Sequence, residues 1–295
     1  MAKRNIEAAV DAVSALRDVS PEHAAPRLRE GLADRVNLVA AKAAKITAEL
    51  QLRQLIPDLL GAFDRLFVKP VERDPQCWAK NAIAQTLVDL DYREHAPFLM
   101  GARHVQLEAV WNGQEDTAQT LRGICLLALV SCNDLPRAEV FRVLVDAMAD
   151  KAQVVRVEAL RAVAEMEGEE ASLLLRLKAR MGDKEPAVTG QVFDSLLRLE
   201  PARALPLVKG YLEGGPPELK EEAALALGAS RNAEAVDILL EALPHAVEPY
   251  FRKTVLRALG ASRQEKAVAF LRSLVEAGGL DLPGAKEALA LYERK

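Results

Sequence analysis

Apolar residues recur every three to four positions along most of the chain, which is the spacing that places side chains on one face of an α-helix. One segment carries two such stripes on either side of a short polar turn. The first stripe is Val155, Ala159, Val163 and Met166, and the second is Leu174, Leu177 and Met181. The pattern predicts two amphipathic helices joined by a tight turn and packed as an antiparallel hairpin.

The helical hairpin is repeated along the chain. The segment Leu-Gly-Ala-Ser-Arg at 227–231 recurs unchanged at 259–263, and Ala235-Val236 recurs as Ala267-Val268 at the same offset of 32 residues. Neither helix of a hairpin can bury its apolar stripe by itself, so each unit needs a neighbour on both sides. The repeat therefore predicts that the units stack into an array.

A short motif within the units resembles that of a known repeat family. Asp150 precedes Val155-Arg156 and Ala159-Leu160, and second helices carry a proline near their start, as at Pro57 and Pro97. This combination is similar to that of HEAT-repeat proteins, particularly the short bacterial type of the phycobilin lyases. The resemblance implies an all-α fold, a right-handed α-solenoid (superhelix) of HEAT-like antiparallel helix pairs.

The resemblance covers nearly the whole chain, so residues 1–295 are expected to form a single HEAT-like repeat domain of about eight helix pairs. The period is about 31–34 residues in the C-terminal half, and the units within 34–116 are stretched. The expected units are 4–33, 34–73, 74–116, 117–150, 151–183, 184–215, 216–246 and 247–279, followed by a closing helix at 283–294. Two units depart from the motif, with Thr189 and Lys220 at the position of its arginine.

Composition and charge narrow the function classes. Half of the residues are hydrophobic and only 4% are aromatic, a bias towards helix formers. The net charge is -4, and residues 74–150 carry 6 basic and 11 acidic groups, which disfavours a surface dedicated to nucleic acid. Glu7 and Asp11 interrupt the apolar stretch that a signal peptide would need, and no apolar run is long enough to span a membrane. We therefore expect a helix at the start of the chain and a cytoplasmic protein.

The sequence contains no recognisable catalytic or metal-binding motif. Cys77, Cys125 and Cys132 form no CxxC pair, and no histidine lies at ligand spacing from them. The chain also contains no HExxH, GxSxG or GxGxxG motif. We therefore predict no catalytic residue, no metal site and no cofactor.

The largest break in the repeat is the segment 103–116, where insertions in repeat arrays often carry recognition. It is predicted to be a loop with a tight turn after Trp111, in which Asn112 or Gly113 has a positive φ. Candidate partner-binding residues in and beside it are Arg103, His104, Gln106, Glu108, Trp111, Asp116 and Arg122. The alternative is structural, with Trp111 filling a widened gap between units and Arg122 paired with Asp116. By the same reasoning, Trp78 is expected to fill the core at the start of its helix.

Three functions are compatible with these observations. The first is a non-catalytic scaffold or adaptor that binds a macromolecular partner, a protein, on the concave face of the solenoid. The second, from the resemblance, is a phycobilin-lyase-like enzyme subunit or a small-ligand binder that uses the 103–116 loop. The third is a DNA-binding HEAT protein, which the acidic middle of the chain disfavours.

Overall fold

The computed structural model describes residues 5–293. The chain divides into two compact units, unit 1 up to Ala162 and unit 2 from Val163 onward. Residues 1–4 and 294–295, which include the start of the helix expected at the N-terminus and the last position of the predicted closing helix, lie outside the described residues.

Unit 1 consists of helices and one β-hairpin. The helices that lie wholly within it are α1 (Ile6–Ser14), α2 (Pro21–Leu32), α3 (Asn37–Glu49), α4 (Ile56–Phe67), α5 (Pro70–Arg73), α6 (Trp78–Asp89), α7 (His95–Ala102), α8 (Gln119–Val130) and α9 (Arg137–Ala147). The strands are β1 (Leu107–Val110) and β2 (Gly113–Asp116). Helix α10 (Gln153–Met166) contains the boundary with unit 2.

Among the described residues of unit 2, the regular secondary structure consists of helices only. Its helices are α11 (Gly168–Met181), α12 (Pro186–Leu199), α13 (Pro201–Gly214), α14 (Pro217–Ala229), α15 (Ala233–Ala242), α16 (Pro249–Ala261), α17 (Glu265–Ala277) and α18 (Leu282–Glu293).

Within each unit the helices pack neighbour to neighbour in a repeating order. The first helices of successive hairpins lie side by side, α3 against α6 and α6 against α8 in unit 1, and α12, α14, α16 and α18 in turn in unit 2. In unit 2 each second helix packs against the first helix that follows it, as α13 does against α14. The predicted all-α solenoid class is therefore confirmed, with the β-hairpin as an addition that the periodicity did not predict.

The repeated Leu-Gly-Ala-Ser-Arg motif builds the same helix end twice in unit 2. Ser230 donates its hydroxyl to the carbonyl of Leu227, and Ser262 does the same to Leu259, each at 2.6 Å. The arginine that follows is left-handed in both copies, with φ of 52° at Arg231 and 54° at the matching position. The motif therefore ends a first helix and turns the chain into the second.

The glycine of the same motif permits a close approach between first helices. A Cβ atom on Gly228 would lie 2.4 Å from the carbonyl oxygen of Ala258, and one on Gly260 would lie 2.4 Å from that of Ala288. Only a residue without a side chain fits at that separation. The motif therefore sets the spacing of the stack as well as the ends of its helices.

Two predictions about core residues were wrong. Leu177 and Met181 do not face the core of unit 2, since they are exposed at 57% and 74% of their surface. The buried stripe of α11 consists of Ala171, Leu175 and Ala179, a second apolar face of the helix that spacing alone could not distinguish from the first. Trp78 is also exposed, at 55%, because the side chains that this end of α6 buries are those of its neighbours Cys77, Ala79 and Lys80.

Across residues 5–293 we find no helix that is both long enough and apolar enough to cross a membrane.

Candidate functional site

The segment predicted as a loop forms an antiparallel β-hairpin in unit 1. Leu107 pairs with Asp116 at its base and Val110 with Gly113 at its tip. The connection is the dipeptide Trp111-Asn112, and the positive φ expected there occurs at Gly113, at 128°. The hairpin therefore presents Trp111 at its outer end.

The base of the hairpin is fixed by the buried carboxylate of Glu108. Oε1 accepts hydrogen bonds from the Thr117 hydroxyl at 2.6 Å, the Gln76 backbone N–H at 2.6 Å and the Gln106 amide at 2.7 Å. Oε2 accepts from the Gln76 side chain at 3.3 Å. Bonds to Gln76 tie the hairpin to the connection before α6, so the strands are anchored to the helical stack.

Behind this carboxylate lies a buried ion pair. Lys80 Nζ is 3.2 Å from Asp74 Oδ2, and neither side chain is exposed. Asp74 also accepts hydrogen bonds from the backbone N–H groups of Ala79 and Lys80, each at 2.9 Å, so it caps the start of α6. Its backbone carbonyl accepts the Gln106 side-chain amide at 2.9 Å, which joins the ion pair to the hairpin base.

Arg122 joins the hairpin to the next repeat. Its guanidinium lies 2.6 Å from Asp116 at the end of β2 and 3.1 Å from Asp150 before α10. It also donates to the backbone carbonyl of His104 at 2.8 Å. Asp116 and Asp150 each accept the N–H two residues ahead, so they are equivalent helix-start positions of successive repeats. Arg122 therefore links one repeat to the next. Its ion pair with Asp116 is the one that the structural alternative predicted.

The pKa values at the hairpin base follow from burial and hydrogen bonding. Burial alone would raise the pKa of Glu108, but the bonds from Thr117, Gln106 and Gln76 outweigh it and hold the pKa below its usual value. Burial would also raise the pKa of Asp116, but the hydrogen bond from Arg122 opposes this effect, and the pKa of Asp116 is lowered. Burial lowers the pKa of His104, whose ring packs edge-on against Phe67 at 4.7 Å between centroids.

The tip of the hairpin, unlike the buried carboxylate at its base, is apolar and exposed to solvent. Trp111 is fully exposed, at 104% of its reference surface, and Val110 beside it is also exposed, as are Val105 and Leu107 at the base end of the hairpin. The expectation that Trp111 fills a gap between units is therefore wrong, because the turn carries the indole away from the base. An ordered segment that holds several apolar side chains in solvent is typical of a binding surface.

The seven candidate residues thus separate into two groups. Gln106, Glu108 and Arg122 are buried at the base, and His104 and Asp116 are half-buried beside them. Arg103, at the end of α7, and Trp111 are exposed. Whether any of the seven contacts a partner stays a prediction, but the geometry gives the buried members a role in positioning the tip.

A groove on the first helices of unit 1 was missed by the sequence reasoning. It has a volume of about 470 Å³ and lies among α6, α8 and α10, with Val88, Leu127 and Val154 as partly exposed apolar walls. Its rim carries Arg93 and Glu158, and no residue of 103–116 lines it. The sequence does contain apolar residues outside the core stripe of each of these helices. Periodicity alone does not assign such residues to any surface.

The described residues contain no group of three or more His, Cys, Asp or Glu side chains that could hold a metal ion. The cysteines are free thiols. Burial raises the pKa of Cys77 to about 11, and that of Cys132, which is only half-buried, also to about 11. Thiols of this kind are mostly protonated at neutral pH and react slowly as nucleophiles.

Comparisons with known proteins support a HEAT-like repeat. A family model described as HEAT repeats matches residues 205–289, which lie within unit 2. No curated protein matches the chain. YibA of Escherichia coli, a solved structure, is 14% identical with a TM-score of 0.48, and the match covers 100% of this chain and 99% of that one. A structure of human deoxyhypusine hydroxylase in complex with glycerol is 20% identical with a TM-score of 0.32, over 99% of this chain and 92% of that one. At these TM-scores neither likeness bears on the function of this chain.

Proposed function

We propose that this chain is a non-catalytic scaffold that binds a protein partner, with Trp111 at the tip of the hairpin as the main anchor. The observation that carries the proposal is the contrast between the base and the tip. The base is held by four hydrogen bonds to one buried carboxylate, whereas the indole at the tip is fully exposed.

This arrangement favours binding for an energetic reason. Ordering a loop on association costs conformational entropy, and a hairpin that is already ordered avoids much of that cost. Tryptophan offers a large apolar surface with few rotatable bonds, and it is enriched among residues that dominate binding energy. The adjacent Val110, at the end of β1, extends the apolar surface around it.

Affinity purification from the native host, with quantitative mass spectrometry, tests the proposal. We compare the wild type with Trp111→Ala and with Leu280→Ala, which removes an equally exposed apolar side chain from unit 2. We expect a protein partner that is recovered with the wild type and Leu280→Ala but lost with Trp111→Ala, while circular dichroism shows all three folded. Recovery of the same proteins with all three variants would contradict the proposal.

The alternatives give different results in the same preparations. A phycobilin-lyase-like protein or small-ligand binder would bring a chromophore or another small molecule through purification, detectable by absorbance or by native mass spectrometry. A DNA-binding protein would retain duplex DNA with an affinity that falls steeply with salt.

A further inference from the structure

A stripe of large apolar residues faces solvent on α11 in unit 2. Leu173, Leu177 and Met181 lie four residues apart on one side of the helix and are exposed at 59%, 57% and 74%. The opposite side, with Leu175 at its centre, is buried. Three adjacent side chains of this size in solvent form a patch that a partner would cover.

The stripe is symmetric about its middle residue. Leu173 and Met181 each lie four positions from Leu177, so an antiparallel copy of the helix would set Leu177 against Leu177 and Leu173 against Met181. An interface around a two-fold axis requires this property, because each residue i meets a residue j that meets i in return.

The charges at the two ends of α11 have the same self-complementary arrangement. The exposed carboxylates Glu169 and Glu170 lie in the first turn, and Arg180 in the last turn and Lys184 just beyond it are exposed bases, whereas the neighbouring Asp183 is paired with Lys178 and Glu185 is half-buried. In an antiparallel pair the acidic end of each helix meets the basic end of the other. A parallel pair would bring like charges together, which disfavours it.

The inner face of α11 is held in place independently of this surface. Arg176 Nε lies 2.5 Å from Glu200 Oε1, and the Tyr211 hydroxyl donates to the carbonyl of Ala179 at 2.7 Å. The stripe can therefore be changed without removing the contacts that fix the helix in unit 2.

We infer that the exposed face of α11 binds a second copy of this chain, as an antiparallel helix pair centred on Leu177. The interface is small beside the ~800 Å² per partner of a standard complex, so the dimer is weak, with a dissociation constant on the order of 10 μM or more. The inference is independent of the proposed hairpin interface, which lies in unit 1.

Sedimentation equilibrium of the full chain from about 1 to 200 μM tests the inference. We expect a reversible monomer–dimer equilibrium, and a dissociation constant raised roughly 100-fold or more by Leu177→Glu, which places two carboxylates on the axis. Leu280→Glu, at another exposed position of unit 2, is the control and should leave the equilibrium unchanged. A monomer at every concentration, or a dimer insensitive to Leu177→Glu, would overturn the inference.

Charge reversal and cross-linking test the orientation. Changing Glu169 and Glu170 to lysine, or Arg180 and Lys184 to glutamate, should each weaken the dimer, and combining the two sets should restore it. In a Cys132→Ser background, Leu177→Cys should form a disulfide with itself on oxidation, and Leu173→Cys should cross-link to Met181→Cys. Failure of the combined charge reversal to restore the dimer, or self-cross-linking of Leu173→Cys in place of its link to Met181→Cys, would rule out the antiparallel pair.

Discussion

Lys80 and Asp74 form an ion pair, 3.2 Å between Nζ and Oδ2, in which both side chains are fully buried. The carboxylate also accepts two backbone N–H groups at the start of α6 and the side-chain amide of Asn37. Such a pair is costly to break, because removing one member leaves the other charge buried without compensation. Because the backbone carbonyl of Asp74 accepts the Gln106 amide, the geometry of the hairpin base depends on a residue 32 positions earlier in the chain.

Lys80→Met should destabilise unit 1 by about 3–5 kcal/mol, since it leaves the Asp74 carboxylate unpaired. Adding Asp74→Asn removes that charge, so the double variant should regain part of the loss. Lys45→Met, at an exposed position of α3, is the control and should change stability by less than about 0.5 kcal/mol. Hydrogen exchange of the α6 amides measures the free energies of opening. Equal losses in the single and double variants would show that the unpaired charge is not the cause.

Glu108→Gln should loosen the hairpin. Both carboxylate oxygens of Glu108 accept hydrogen bonds, and the amide nitrogen that replaces one of them cannot accept. We expect a loss of about 1–3 kcal/mol in the opening free energy of the hairpin amides, measured by hydrogen exchange. Glu115 lies opposite Glu108 in the strand register but is exposed, so Glu115→Gln provides a matched control. A similar effect of the two changes would contradict the role given to the buried carboxylate.

Local periodicity was sufficient to predict the helices, because the stripe of a helix and the Leu-Gly-Ala-Ser-Arg helix end are encoded within a few residues. It could not predict the burial of Glu108, whose partner Gln76 lies 32 positions away. It also placed Leu177 in the core, because α11 is apolar on two sides and the spacing alone cannot say which side packs. The sequence therefore singled out the segment that forms the hairpin, but it could not separate its buried residues from its exposed ones, and a binding role for the segment stays a prediction.

The hairpin base should weaken as the pH falls. His104, Glu108 and Asp116 all have pKa values below their usual values of 6.5, 4.5 and 3.8. For each group the unfolded chain binds more protons than the folded one around the usual pKa, so stability is present above that value and is lost as the pH falls. We expect a first loss as the pH falls below about 6.5, from His104, and a second below about 4.5, from the two carboxylates.

The stability of unit 1 in urea, measured at constant ionic strength from neutral to acidic pH, checks this order. His104→Gln should abolish the first loss and keep the second, whereas His23→Gln, at an exposed histidine, should keep both. Persistence of the first loss in His104→Gln would show that another group causes it.

The helical glycines of unit 2 differ in whether the structure has room for a side chain at their positions. Gly228→Ala and Gly260→Ala should each destabilise the unit by about 1–3 kcal/mol, because the added methyl would lie 2.4 Å from a backbone carbonyl oxygen of the neighbouring first helix. Gly210 is also within a helix, α13, but no atom lies within 4 Å of its added Cβ. Gly210→Ala should therefore stabilise unit 2 by about 0.5–1 kcal/mol through its better helix propensity. Urea unfolding of the three variants measures the difference, and a gain in stability at Gly228 would mean that the repeated motif does not set the spacing of the stack.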